Sequence, residues 1–95
     1  MYVGIVKLKL HLPACESFDE KQEFFKRSEE IVLESFNLPL AEVGCLEEEQ
    51  MLELGYAIVG AELGEVESAT SAIIDLILEQ GDAQVLDEEV DILTY

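Results

Sequence analysis

The chain has 95 residues, 22 of them acidic and 5 basic, for a formal net charge of −17. That length predicts one domain, 1–95, with a modest core, and a hydrophobic content of 49% excludes a disordered acidic tail. No apolar run approaches the roughly 18 residues of a membrane span, residues 2–6 lack the basic flank and cleavage pattern of a signal peptide, and a pI near 4.1 opposes general attraction to nucleic-acid phosphates or anionic membrane.

Residues 2–12 alternate. Val6, Leu8, Leu10 and Leu12 fall on one face; Val3, Ile5, Lys7, Lys9 and His11 fall on the other. This predicts a half-buried strand ended by Pro13. Ser17-Phe18-Asp19-Glu20 reads as a capping box, in which the Ser17 hydroxyl accepts from the Glu20 N–H and the Glu20 carboxylate reaches back to the Ser17 N–H. Phe24, Phe25, Ser28, Ile31, Val32, Ser35 and Phe36 then share one helical face. Pro39 places the helix end near Phe36.

Residues 38–45 and 52–60 predict two strands joined by the acidic loop 46–50. Residues 64–80 predict a second helix with a stripe of Val66, Ala69, Thr70, Ile73, Ile74 and Ile77, and Gly81 suits its C′ position. Residues 83–93 predict a last strand, with Leu86, Val90 and Ile92 on one parity. The order β-α-β-β-α-β specifies an α+β, ferredoxin-like sandwich of sheet order 4-1-3-2 with both helices on one face. Pro39 is tolerable in an edge strand, and the acid-rich last strand is a charged edge that resists pairing with other chains.

With the leucine parity packed on the helices, an antiparallel register pairs Lys9 with Asp87 and Lys7 with Glu89, and puts Val3 near Leu93. The open face then carries Val3, Ile5, Lys7, Lys9 and His11 beside Glu53, Gly55, Ala57 and Val59. None is aromatic, and Tyr56 belongs to the core parity. RNA readers of this topology stack bases on open-face aromatics, so RNA is not an expected partner. Val3, Ile5, Ala57 and Val59, with Leu93, instead form an apolar corner. We read it as a contact surface, with self-association as the simplest version, over ordinary exposed apolar area.

Candidate chemistry is sparse. His11 is the sole histidine and reads as a strand-end surface residue. Cys15 and Cys45 give no disulfide framework, which implies a reducing cytoplasm. Both fall at one end of the sheet, about 10 Å apart, beyond disulfide range. His11, Cys15 and Cys45 are the only weak candidates for a metal or redox site, and their spacing matches no zinc motif. Glu47, Glu48 and Glu49, like Asp87-Glu88-Glu89-Asp91, lack the pattern of a calcium loop and read as solvated acids. No phosphate loop, dinucleotide fingerprint or nucleophile elbow occurs, and the sole arginine, Arg27, lies inside the first helix.

Several segments resemble one family. They are residues 3–13, Ser17 with Glu20-Lys21, Phe36-Asn37, Ala41-Glu42-Val43-Gly44, Leu54-Gly55-Tyr56-Ala57-Ile58-Val59-Gly60 and Val85-Leu86-Asp87. Together they resemble the YlxP-like family of small bacterial proteins, a domain of unknown function, over nearly the whole chain. The resemblance implies a ferredoxin-like fold and no established enzyme activity. The family's genes commonly sit among those of transcription and translation factors, near a ribosome-maturation factor. The resemblance carries over Ser17 as a helix cap and Glu42 as a candidate site residue. The chain also departs from the family. Where the family is basic after the Ser17 position, this chain has Phe18-Asp19-Glu20-Lys21-Gln22. Where it often carries His-Gln-Asp-Leu-Trp-Gln-Arg, this chain has Cys45-Leu46-Glu47-Glu48-Glu49-Gln50-Met51.

The charge is polar along the chain. Lys7, Lys9, Lys21, Lys26 and Arg27 all lie in the first 27 positions, and 18 of the 22 acids follow with no base among them. The expected function is that of a non-enzymatic cytoplasmic binding protein, and the resemblance implies a link to translation or ribosome maturation. It is expected to use no cofactor and to meet a basic protein surface through its acids. Glu42, Glu47, Glu48 and Glu49 are the candidate acidic contacts, and the apolar corner supports a homo-oligomer. Two alternatives remain: a small-molecule or metal-dependent activity near His11, Cys15 and Cys45, and a structural homodimer.

Overall fold

The structure is a computed structural model and describes residues 1–95. Period-two alternation draws Tyr2–His11 into a ten-residue strand, β1. Its core parity is almost wholly buried, with Leu8 and Leu10 fully so. Helix α1 spans Phe18–Phe36. The Ser17 hydroxyl accepts from the Glu20 N–H at 3.2 Å, as expected, but the Glu20 carboxylate accepts from Glu16 N–H at 3.3 Å rather than from Ser17. Asn37 closes the helix in the left-handed region at φ 53°, donating its N–H to the Leu33 carbonyl at 2.9 Å. Asparagine tolerates that conformation.

Strand β2, Ala41–Gly44, is half the expected length. Leu38 and Leu40, read as strand residues, are core plugs instead, each less than a tenth exposed. They spend the approach to the sheet on packing, and Pro39 between them has no N–H for a ladder. A register shift between Glu42 and Gly44 and a left-handed Cys45 (φ 55°) end the strand. Strand β3 covers Met51–Gly60, helix α2 Leu63–Leu78 and strand β4 Gln84–Thr94. Gly81, at φ 83°, turns the chain after α2 and donates its N–H to the Leu78 carbonyl at 3.1 Å.

The sheet order is β2-β3-β1-β4, the expected 4-1-3-2 read in reverse. All neighbours are antiparallel. The register pairs Val3 with Leu93, Lys7 with Glu89 and Lys9 with Asp87, as parity predicts. One apolar cluster joins Leu8, Leu10, Leu52 and Leu54 of the sheet to Phe24 and Val32 of α1 and to Ile73 and Ile77 of α2. Each such fully buried leucine or isoleucine stabilises the fold by about 1.5–3 kcal/mol. Strands of ten and eleven residues at about 3.3 Å rise each account for most of the molecule's long dimension of 42 Å, against 22 and 17 Å across.

Helix α2 packs on β1 and β3 rather than over β4. Val85, Leu86 and Val90 of β4 are therefore 42%, 51% and 43% exposed. The acids are little compensated. Lys7 lies 3.5 Å from Glu89 and 3.9 Å from Glu53, and Lys21 lies 3.0 Å from Glu42; Lys9, although opposite Asp87, makes no ion pair. Screening should relieve the repulsion among the rest. Raising salt from about 0.02 M to about 0.3 M is expected to raise the melting temperature by a few degrees. A flat response in calorimetry would show that the acids are too dispersed to repel.

Candidate functional site

Two regions gather the residues singled out in the sequence. The first lies at the end of the sheet where β1 stops and the β2–β3 loop turns. Its centre is a lysine. Lys21 continues the buried stripe of α1 one turn before Phe24, and only 1% of it is exposed. Its ammonium donates to the Cys45 carbonyl at 2.8 Å and the Glu48 carbonyl at 2.7 Å, and sits 3.0 Å from Glu42 Oε2. Two carbonyls thus accept from the ammonium and one carboxylate balances its charge. The Phe18 ring lies 5.8 Å from the same nitrogen.

Glu42, the site residue carried over by resemblance, is the counter-ion of this buried cation. Its Oε1 accepts from Gln22 Nε2 at 3.3 Å, and its buried Oε2 has no aligned hydrogen bond beyond the ion pair. Glutamine ties complete the clamp. Gln50 Nε2 donates to the Cys15 carbonyl at 3.2 Å, and the Gln50 carbonyl accepts from Leu12 N–H at 2.7 Å. The acidic loop is therefore pinned from inside while Glu47, Glu48 and Glu49 stay exposed. With His11 and Phe18 they border a shallow depression of about 550 Å³.

The groups proposed for chemistry at this end do not converge. His11 is half-buried, with Nδ1 3.4 Å from Gln84 Oε1. Cys15 packs into the core, where burial first and Glu20 second push its thiol above the ordinary value of 9.0. That weakens it as a nucleophile, since the thiolate is the reactive form. Cys45 is half-buried, and both thiols are free. No three His, Cys, Asp or Glu side chains are grouped to hold a metal ion.

The second region is the open face of the sheet. Val3 stands opposite Val59 and Ile5 opposite Ala57. Val59 is 62% exposed and Ile5 46%, while Val3 and Leu93 are half-buried. Strand β2 adds Ala41 and Val43, which sequence reasoning missed. Gly55 makes room for Val43: a Cβ at position 55 would lie 2.9 Å from Val43 Cγ1. Ile5, Ala41, Val43, Gly55 and Ala57 border a depression of about 310 Å³ there. No aromatic residue falls on the open parity of β1 or β3. Tyr56 is buried on the other face, and burial with the Glu88 charge pushes its phenol far above its ordinary range.

The fold and these regions define an α+β sandwich that presents surfaces, an open apolar sheet face and an acidic end, rather than an enclosed pocket of convergent groups. The chain belongs to the family described as a protein of unknown function, DUF503, whose model matches residues 3–90. No curated protein matches its sequence significantly. Among solved structures it is similar to the structural-genomics protein YJCS, at 14% identity and a TM-score of 0.61, over 94% of this chain and 96% of that one. At that identity the likeness concerns the fold alone. No helix is long and apolar enough to cross a membrane.

Proposed function

We propose that this chain is a non-enzymatic cytoplasmic binding protein of the YlxP-like kind that contacts a basic protein surface in the translation or ribosome-maturation machinery. One observation carries the reading. The sheet is covered by helices on one face only, and its other face exposes apolar side chains around Ile5 and Val59 beside Asp87 and Asp91, which have no ion-pair partner. Contiguous apolar area rimmed by charge is the usual form of a protein contact. Capture from a cell lysate tests it. The expected partner is a protein retained after nuclease treatment and released at high salt. If nothing binds while a metal or metabolite panel shifts the melting temperature, the reading fails.

Exposed Val59 and Ile5 also favour a second copy as an occupant of the open face. Light scattering at micromolar concentration should then report a dimer, and Val59→Asp should return it to monomer. A wild-type monomer would remove this second reading and leave the first.

A further inference from the structure

Strand β4 is the unfinished part of the fold. It ends the sheet, so one of its two backbone edges has no partner. The opposite edge strand, β2, has only four residues, which makes it a poor template, whereas β4, although its register shifts between Asp87 and Val85, runs regularly from Asp87 to Thr94. Strand β4 has eleven residues, almost all exposed. Its helix-side row of Val85, Val90 and Ile92 stands opposite Leu10, Val6 and Gly4; Ile92 is half-buried, but Val85 and Val90 are 42% and 43% exposed. Its open-side row is Asp87, Glu89 and Asp91, opposite Lys9, Lys7 and Ile5. Only Glu89 of that row has a cation within ion-pair range.

A second copy does not suit this edge. Two β4 strands laid antiparallel in full overlap would set Asp87 against Asp91 and Glu89 against its own copy. Shifting the register by two residues sets Asp87 against Glu89, or Glu89 against Asp91. Like charges directly opposite destabilise a strand pair. The same acids that reject this chain would favour a basic strand, which is how specificity by repulsion works.

We propose that β4 takes an extended basic segment of a partner protein as a fifth, antiparallel strand. The segment alternates. Its Lys or Arg side chains pair with Asp87, Glu89 and Asp91, and its apolar side chains extend the row of Val85, Val90 and Ile92. Backbone hydrogen bonds supply affinity, and the two rows supply selectivity. Glu88 interrupts the apolar row and gives one further cation a place. This inference rests on the proposal that protein contact is the chain's function and names the surface and the partner's chemistry.

The test uses the full chain and a short peptide alternating lysine and valine, against a peptide of the same composition with its lysines and valines in separate blocks. The alternating peptide is expected to bind about tenfold more tightly. It should slow amide exchange along β4 and shift the resonances of Val85 and Val90. Replacing Asp87 and Asp91 by Asn and Glu89 by Gln should weaken binding about tenfold while melting stays cooperative. Equal binding of the two peptides, or shifts confined to the 46–50 loop or the Ile5–Val59 patch, would overturn strand addition. Lysate capture with the same triple variant separates the two levels. A partner held equally by wild type and variant ends the β4 proposal and leaves the protein-contact reading standing. A wild type that holds no partner while a metal or metabolite panel shifts its melting temperature ends both.

Discussion

Lys21→Met is expected to lower the free energy of unfolding by about 3–5 kcal/mol, the cost typical of breaking a buried ion pair from one side. The substitution preserves most of the aliphatic volume, so the loss is electrostatic rather than a packing defect. It strands one counter-charge and two carbonyl acceptors at once. Glu42 keeps a carboxylate whose side chain is 14% exposed, and the carbonyls of Cys45 and Glu48 lose their donor. Lys21→Met with Glu42→Leu should recover a large part of the deficit, because an apolar pair needs no desolvated charge. Urea unfolding of the two single variants and the double gives the coupling directly. A single-variant loss below about 1 kcal/mol would equate this pair with an ordinary surface salt bridge. The local consequence matters too. With the ammonium gone, the 45–50 segment loses its internal anchor, and amide exchange there should accelerate before the rest of the molecule responds.

Lys21 also shows where sequence reading stops. The strand and helix patterns are local, with periods of two and 3.6, so element order and the β1–β4 register from Val3–Leu93 to Lys9–Asp87 followed from parity, and sheet order from the crossover rules, while the shift beyond Lys9 did not. The signal for Lys21 was equally present. It precedes Phe24 by three residues and Ser28 by seven, on the buried stripe of α1. A lysine is read as solvated by default, and what overrules that default is a set of carbonyls more than twenty residues away. The same holds for Leu38 and Leu40, whose parity fits a strand but whose neighbours make them core. Glu42 was legible as a residue of interest only by resemblance; its partner was not. The contact surfaces were partly legible. Val3, Ile5, Ala57 and Val59 follow from alternation, whereas Ala41 and Val43 depend on how β2 bends around Gly55. The exposed face of β4 was not legible, since it depends on where α2 settles across the sheet.

Val66 anchors the start of α2 on the sheet, and the second large effect is expected there. Gly4→Ala should destabilise the fold by about 1–3 kcal/mol, the range for overpacking a filled site. Gly4 is buried on the helix side of β1, and a Cβ at this position would lie 2.7 Å from Val66 Cγ1 and 3.3 Å from Ile58 Cγ2. Gly60, at the end of β3, offers the other half of the notch: a Cβ there would lie 3.0 Å from Val66 Cγ2. Val66, in the first turns of α2 and 1% exposed, thus sits between the two strands in space that only glycines leave. Its seat holds the start of the helix against β1 and β3. Val66→Ala should therefore restore part of the stability lost in Gly4→Ala, although alone it costs about 1 kcal/mol or more through the cavity it leaves. Denaturant midpoints for the two single variants and the pair provide the check, and strict additivity would show that Gly4 is not reserved for Val66. Two glycines and one valine thereby connect the interior to the surface: with α2 seated tightly on β1 and β3, Val85 and Val90 of an eleven-residue strand are left exposed.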